Sequence, residues 1–421
     1  MSNRIIKLSR NTENAPINAE STQSVAFSHY NNISAQLPIE PKTGKLISNE
    51  VKEQALQCLK NIESIVKSID HVKEDIIKIT VFVKNIDDTN AIDSIYADFF
   101  QNEFPTRTVV AVADLPMDNA LVQMDALISN GEGTYPQAPC ALLKMARNTN
   151  NAPTNEVSTQ TVAFSHYNNI SAQLPIDPVT NQLITGDVTE QTTQCLKNIK
   201  AILESIDVPF DDIVKVNIFH KNASDIDAIN KAYTTFFPDS AIARTHAYVP
   251  ARTTVIAADL PMGALVQIDV VVSHGDGTPP QAIEDRHGIV IKANNTNNAP
   301  LNALSTQTVA FSHYNHISVQ LPINPQSNKV EVNTIAEQTE QCLNNIKAIV
   351  ESINHEMDDI VKVNIQLKDI SDITTVNEIY TSFFNSELPA RTVIGVSDIS
   401  MNALIQIDAV VSNAEGTPPQ Q

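Results

Sequence analysis

Disulfide scaffolding is the first possibility the sequence lacks the means for. Its only four cysteines, Cys58, Cys140, Cys195 and Cys342, lie far apart in a 421-residue chain. No CxxC pair is present to seed a zinc or redox site, so reduced, mostly buried thiols are expected. A GxGxxG motif, a phosphate-binding glycine loop and a His/Asp cluster with metal spacing are all missing, so no motif points to a nucleotide cofactor or a metal. Positive charge is scarce, 28 basic against 48 acidic side chains for a net charge of −20. Such a field repels phosphate backbones and anionic lipid, which speaks against a nucleic-acid or membrane partner. No run of about 18 uncharged apolar residues occurs, and the opening MSNRIIKLSR lacks the continuous apolar segment of a secretory signal. A cytoplasmic location is the expectation.

What is present is core material: 42% of the residues are apolar and only 18% charged, which excludes disorder as the main state. At roughly 150 residues per domain the length suggests about three domains. Self-comparison agrees. NAPINAESTQSVAFSHYNNISAQLPIEP returns as NAPTNEVSTQTVAFSHYNNISAQLPIDP and again as NAPLNALSTQTVAFSHYNHISVQLPINP. A second block, PTRTVVAVADLPMDNALVQMDAL, recurs as PARTTVIAADLPMGALVQIDVV and PARTVIGVSDISMNALIQIDAV. The Gly/Pro stretches GEGTYPQAP, GDGTPPQA and EGTPPQQ punctuate the copies and read as linkers, giving repeats over 1–139, 140–284 and 285–421. Units of about 140 residues are large enough to be complete domains rather than solenoid turns.

Within a copy, Leu59, Ile62, Val66 and Ile69 recur at spacings of three and four, as do Leu196, Ile199, Leu203, Ile206 and Leu343, Ile346, Val350, Ile353. These predict a long amphipathic helix, with Cys58, Cys195 and Cys342 on its apolar face. Next, Ile77, Ile79, Val81 and Val83 alternate with polar residues, predicting a half-buried strand. A shorter helix ends in Tyr-x-x-Phe-Phe, and the arginine-containing block forms a strand that turns at LPM and returns. At the front, TVAFSHYNNISAQLPI predicts a hairpin turning near His-Tyr-Asn-Asn. The order specifies an α+β unit, one sheet with two helices on one face. The bare face then needs a partner surface, which three copies supply to one another in a ring.

Among candidate site residues, Arg107, Arg252 and Arg391 stand in apolar strand company, where a planar guanidinium matches a carboxylate bidentately. The bland alternative is a surface arginine, or one paired with Asp125, Asp269 or Asp408. Gln123, Gln267 and Gln406 follow on the return strand, where antiparallel pairing would bring each beside its own arginine. An amide can orient water or ligand but takes no proton at neutral pH. The Ser-His-Tyr triplets at Ser28, Ser165 and Ser312 cannot form a nucleophile–base pair from adjacent strand positions and read as turn residues.

The early SAQLPI(E/D/N)P segment, the QCLxNI helix, DI(I/V)K(I/V), Tyr-x-x-Phe-Phe and P(T/A)RT followed by LPMxxALVQ(I/M)D together resemble the RidA (YjgF-type) imine/enamine deaminase family over nearly the whole of each copy. The resemblance implies a chorismate-mutase-like α+β fold in each domain, assembled as a single-chain pseudo-trimer with pockets between repeats. A monomeric chain would then hold its trimer intramolecularly. It implies hydrolysis of small 2-imino acids to 2-keto acids and ammonia, with small 2-imino or 2-keto carboxylic acids as ligands bound through Arg107, Arg252 and Arg391. Backbone groups at Ser34 and Ala35, Ser171 and Ala172, and Ser318 and Val319 would line the pockets. Three departures accompany it. Gln123, Gln267 and Gln406 replace a Glu that handles the hydrolytic water, and Ser21, Ser158 and Ser305 replace a pocket Tyr. The short helix carries Asp93 in the first copy where the others carry Asn230 and Asn377. Copy two also has about eight extra residues before Arg252, including a competing Arg244, and Arg252 is favoured by the TVIAADLPM strand after it. Loss of a general base, typically about 10²- to 10⁴-fold, leaves a non-catalytic carboxylate sensor or scaffold as the rival. Holdase and RNA-cleaving roles of the same family are further alternatives, the last opposed by the charge.

Overall fold

The computed structural model describes residues 5–237, 248–273, 278, 290–414 and 416–417. Repeat 1 runs through an edge strand Leu8–Arg10, a hairpin Ser24–Phe27 and Tyr30–Gln36, and the long helix Val51–Ser68. A middle strand Ile76–Val83, a short helix Thr89–Phe100, an arginine strand Thr106–Ala111 and a glutamine strand Val122–Ser129 complete it. The same elements recur in repeats 2 and 3, with long helices Val188–Ser205 and Ile335–Ser352, arginine strands Ala251–Ile256 and Ala390–Gly395, and glutamine strands Val266–Ser273 and Ile405–Ser412. Each main sheet has six strands, ordered edge, hairpin, hairpin, glutamine, middle, arginine. The middle strand is parallel to the arginine strand and antiparallel to the glutamine strand. This is the α+β unit the periodicities specify, in three tandem copies. Among the described residues no helix is long and apolar enough to cross a membrane.

Apolar periodicity explains each helix–sheet layer. Cys58, Leu59, Ile62 and Val66 are wholly buried against Ile79, Val81 and Val122, and the same register recurs in the other copies. The helix starts differ: Asp187 with Glu190 and Thr334 with Glu337 form reciprocal caps, whereas Glu50 makes no side-chain cap.

The opposite sheet face departs from a half-buried strand. Lys78, Thr80 and Phe82 point away from the helices but toward the other repeats, and Ile77, beside a register shift, joins an apolar cluster drawn from all three copies. A second shared cluster contains Val110, Val255 and Ile394. The face that alternation alone assigns to solvent is thus covered by the neighbours. At the centre, Tyr30, Tyr167 and Tyr314 meet edge to face, and their hydroxyls donate to the carbonyls of Phe164, Phe311 and Phe27. Repeat 1 thereby bonds to 2, 2 to 3, and 3 back to 1.

The hairpin turns at the front of the Ser-His-Tyr-Asn-Asn stretch. Ser28 and His29 make the turn, with Ser28 at φ 52, and Tyr30, Asn31 and Asn32 lie in the strand. A punctuating segment supports it: the Ser28 amide donates to Thr134 Oγ1 at 2.9 Å, as Ser165 does to Thr278 and Ser312 to Thr417. Thr134 and Thr278 are fully buried, so each of these two stretches is anchored at its threonine. Arg244, most of GDGTPPQA and most of EGTPPQQ lie outside the described residues.

Candidate functional site

The parallel pairing places the arginine at the second position of its strand, opposite Ile79, Val216 or Val363 of the middle strand. Because the middle strand intervenes, the glutamine strand of the same repeat is not its neighbour, and no Gln lies beside its own arginine as the hairpin expectation had it. Each Gln reaches another repeat instead. Gln267 Nε2 donates to the Val109 carbonyl at 2.7 Å, Gln406 to Thr254 at 2.9 Å and Gln123 to Val393 at 2.9 Å, each acceptor two residues beyond an arginine.

The serines cross the same seams. Ser171 Oγ accepts from the Arg107 amide at 2.9 Å, Ser318 from Arg252 at 2.9 Å and Ser34 from Arg391 at 2.8 Å, while each hydroxyl donates to a threonine carbonyl of its own repeat. The Val319 amide also donates to the Arg252 carbonyl at 3.0 Å. Three composite sites result: Arg107 with Ser171 and Gln267, Arg252 with Ser318 and Gln406, and Arg391 with Ser34 and Gln123. Ala35, Ala172 and Val319 follow these serines in the chain.

All three arginines are buried, and each guanidinium lies over a tyrosine of its own short helix, Tyr96, Tyr233 or Tyr380, with ring centroids 4.5–5.0 Å away. Three residues earlier, on the same helix face, stands the polar partner. Asn230 Oδ1 accepts from Arg252 and Asn377 Oδ1 from Arg391, both at 2.7 Å, but in repeat 1 the Asp93 carboxylate meets the Arg107 guanidinium at 2.5 Å. Burial lowers the pKa of Arg252 and of Arg391; Tyr233 acts in the opposite direction on Arg252, and Tyr380 and Glu20 do so on Arg391. Asp125, Asp269 and Asp408 do not pair with the arginines. They hold Lys362 at 3.2 Å, Lys78 at 3.1 Å and Lys215 at 3.9 Å, and accept from Thr392, Thr108 and Thr253.

Where repeats 3 and 1 meet, a cavity of about 410 Å³ is lined by Arg391, Asn377, Gln123, Ser34, Ala35 and Ser21. Ser21, Ser158 and Ser305 each make an isolated β-bridge to the residue three before, Asn18, Asn155 or Asn302. Two contributors escaped the sequence reading. Glu20, the one carboxylate lining this cavity, sits in a loop without periodicity. Gln23 Nε2 donates to the carbonyls of Thr12, Ala15 and Pro16 and so shapes the rim, a part that Gln160 and Gln307 repeat. The invariance of Gln across all three copies at that step was the available signal.

With a guanidinium, a serine hydroxyl and a glutamine amide converging from two repeats, such a site can hold a small anion and a water. The family model described as Endoribonuclease L-PSP matches residues 12–129, 149–274 and 296–413. A RutC family protein of Buchnera aphidicola is 40% identical over 121 residues, 28% of this chain and 93% of that protein. The 2-iminobutanoate/2-iminopropanoate deaminase of Dermatophagoides farinae is 32% identical over 106 residues, 25% of this chain and 83% of that protein. The solved YjgF gene product of E. coli is 35% identical, spans 29% of this chain and 98% of its own, and superposes with a TM-score of 0.28. The chain belongs to the endoribonuclease L-PSP family, whose relatives carry RidA and RutC names, and holds three tandem copies of its domain.

Proposed function

We propose that the chain hydrolyses small 2-imino or enamine acids to 2-keto acids and ammonia in pockets shared between repeats, with the arginine anchoring the substrate carboxylate. The observation that carries this reading is the Arg391 guanidinium, buried at a cavity between repeats and paired with a neutral Asn377 rather than an acid. A buried cation whose direct side-chain partner is a neutral amide favours an anionic ligand, and its two-pronged donor geometry fits a carboxylate. Water then adds to the imine carbon as a proton reaches nitrogen, and the carbinolamine collapses to the ketone with loss of ammonia. Glu20 on the cavity wall supplies a carboxylate for that proton traffic, in place of the amide of Gln123, which cannot accept one.

The relative from Dermatophagoides farinae is named for this deamination, which supports the same reading. A carboxylate sensor is the second reading, favoured by one observation: each Gln amide is engaged with a backbone carbonyl of the neighbouring repeat, a structural use. Cleavage of RNA, which the family description names, is opposed by a net charge of −20.

The test couples a serine or threonine dehydratase to the protein and follows keto-acid release against semicarbazide trapping. Acceleration by wild type that is lost in the Arg107→Ala, Arg252→Ala, Arg391→Ala triple variant supports deamination. Binding of 2-oxobutanoate without acceleration would leave the sensor.

A further inference from the structure

We propose that Asp93 closes the pocket between repeats 1 and 2 to carboxylate ligands, so that the chain carries two working anion sites, at Arg252 and Arg391, and one that is neutralised from within. The inference rests on the arginine-anchor reading above and adds that the three pockets are not equivalent.

The geometry is specific to one copy. The Arg107 guanidinium meets the Asp93 carboxylate at 2.5 Å, and the side chains are 4% and 29% exposed. At the other two sites an amide oxygen occupies the same place at 2.7 Å. Among the described residues, no ion pair joins a carboxylate to Arg252 or Arg391, although Glu20 acts on Arg391 across its cavity. Buried guanidinium nitrogens without a hydrogen-bond partner occur at both kinds of site, Nη1 of Arg252 and Nε and Nη2 of Arg107, so it is the ion pair that sets Arg107 apart. A neutral amide fixes a guanidinium while leaving its charge for a ligand. A carboxylate fixes it and spends that charge, so an incoming anion must either displace Asp93 or sit beside it.

The rim varies independently of this. The loop position held by Glu20 at the cavity between repeats 3 and 1 is Val157 in the second copy and Leu304 in the third, and Val157 is buried in the apolar core of repeat 1. What sets the first pocket apart is the carboxylate on its guanidinium.

Losing one charge-assisted contact weakens binding roughly ten- to hundred-fold, enough to separate two tight sites from a weak third in a titration. Calorimetry with 2-oxobutanoate on the full chain reads this directly. Wild type is expected to bind two molecules, Asp93→Asn three, and Asn230→Asp one, with far-ultraviolet circular dichroism unchanged. Three equivalent sites in wild type, or an Asp93→Asn chain that still binds two, would overturn the inference while leaving the arginine anchor standing. No heat from wild type and from Asp93→Asn alike would overturn the anchor itself, and the inference with it.

Discussion

Behind the helices of repeat 1, Leu59, Ile62 and Val66 are wholly buried against Ile79, Val81 and Val122 without a polar atom between their side chains. At the seam with repeat 2 the stitching is different in kind: Lys78 and Thr108 reach Asp269, Ser171 takes the Arg107 amide, and Gln267 takes the Val109 carbonyl. Apolar burial is non-directional, so it makes three similar domains without ordering them. Hydrogen bonds have a donor end and an acceptor end. Every seam places lysine and threonine on one repeat and aspartate on the next, in the order 1 to 2, 2 to 3, 3 to 1. The polar seams thus carry the handedness of the ring, and they are where the proposed ligand sites stand.

The contrast breaks most sharply at a seam carboxylate. Asp269→Ala leaves Lys78 and Thr108 facing a buried gap, an expected loss of about 3–5 kcal/mol in urea unfolding. Lys78→Met added to it should recover part of that loss, since the stranded charge is removed. Inside a repeat, Leu343→Ala should cost about 2–5 kcal/mol through lost burial and a residual cavity, with no second substitution at a seam able to restore it. Tyr314→Phe leaves the Phe27 carbonyl without its donor where repeat 3 closes onto repeat 1, an expected 1–3 kcal/mol or so by the same measurement.

How much of this was legible beforehand follows the same division. Helix registers, strand alternation and the copy number could be read because apolar periodicity is local. The arginines were visible because a guanidinium in a Val/Ile strand is conspicuous. The partner of Gln123 was not, since a strand's period of two fixes the face of a side chain and says nothing about which copy that face meets. The middle strand between arginine and glutamine strands defeated the hairpin expectation for the same reason, parallel pairing being non-local. The Ser28 turn was legible from the Ser-His-Tyr triplet, but its support by Thr134, more than a hundred residues away, was not. Asp93 stood out as a difference between copies, but its contact with Arg107 needed the fold.

A smaller effect separates the seams from one another by pH. His316 stands where repeats 1 and 2 have Asn32 and Asn169, and burial, then Lys215 and Lys78, lower its pKa from 6.5 to about 3. The unfolded chain takes up a proton below about pH 6.5 that the folded one refuses until about pH 3, so stability present above that range is lost as pH falls. His316→Asn should flatten the dependence between pH 6.5 and 5, by at most ~1.4 kcal/mol per pH unit, in denaturation at stepped pH. An unchanged slope would place the titrating group elsewhere.

The most direct test of sites shared across seams uses a chain with one anchor left. In Arg107→Ala, Arg252→Ala, calorimetry with 2-oxobutanoate should find one site, at Arg391. Adding Gln123→Ala from repeat 1 should weaken it, whereas adding Gln406→Ala, which serves the silenced Arg252 pocket, should leave it unchanged. Weakening by Gln406→Ala with Gln123→Ala silent would mean that each arginine works with the glutamine of its own repeat, and would contradict the cyclic order of the sites.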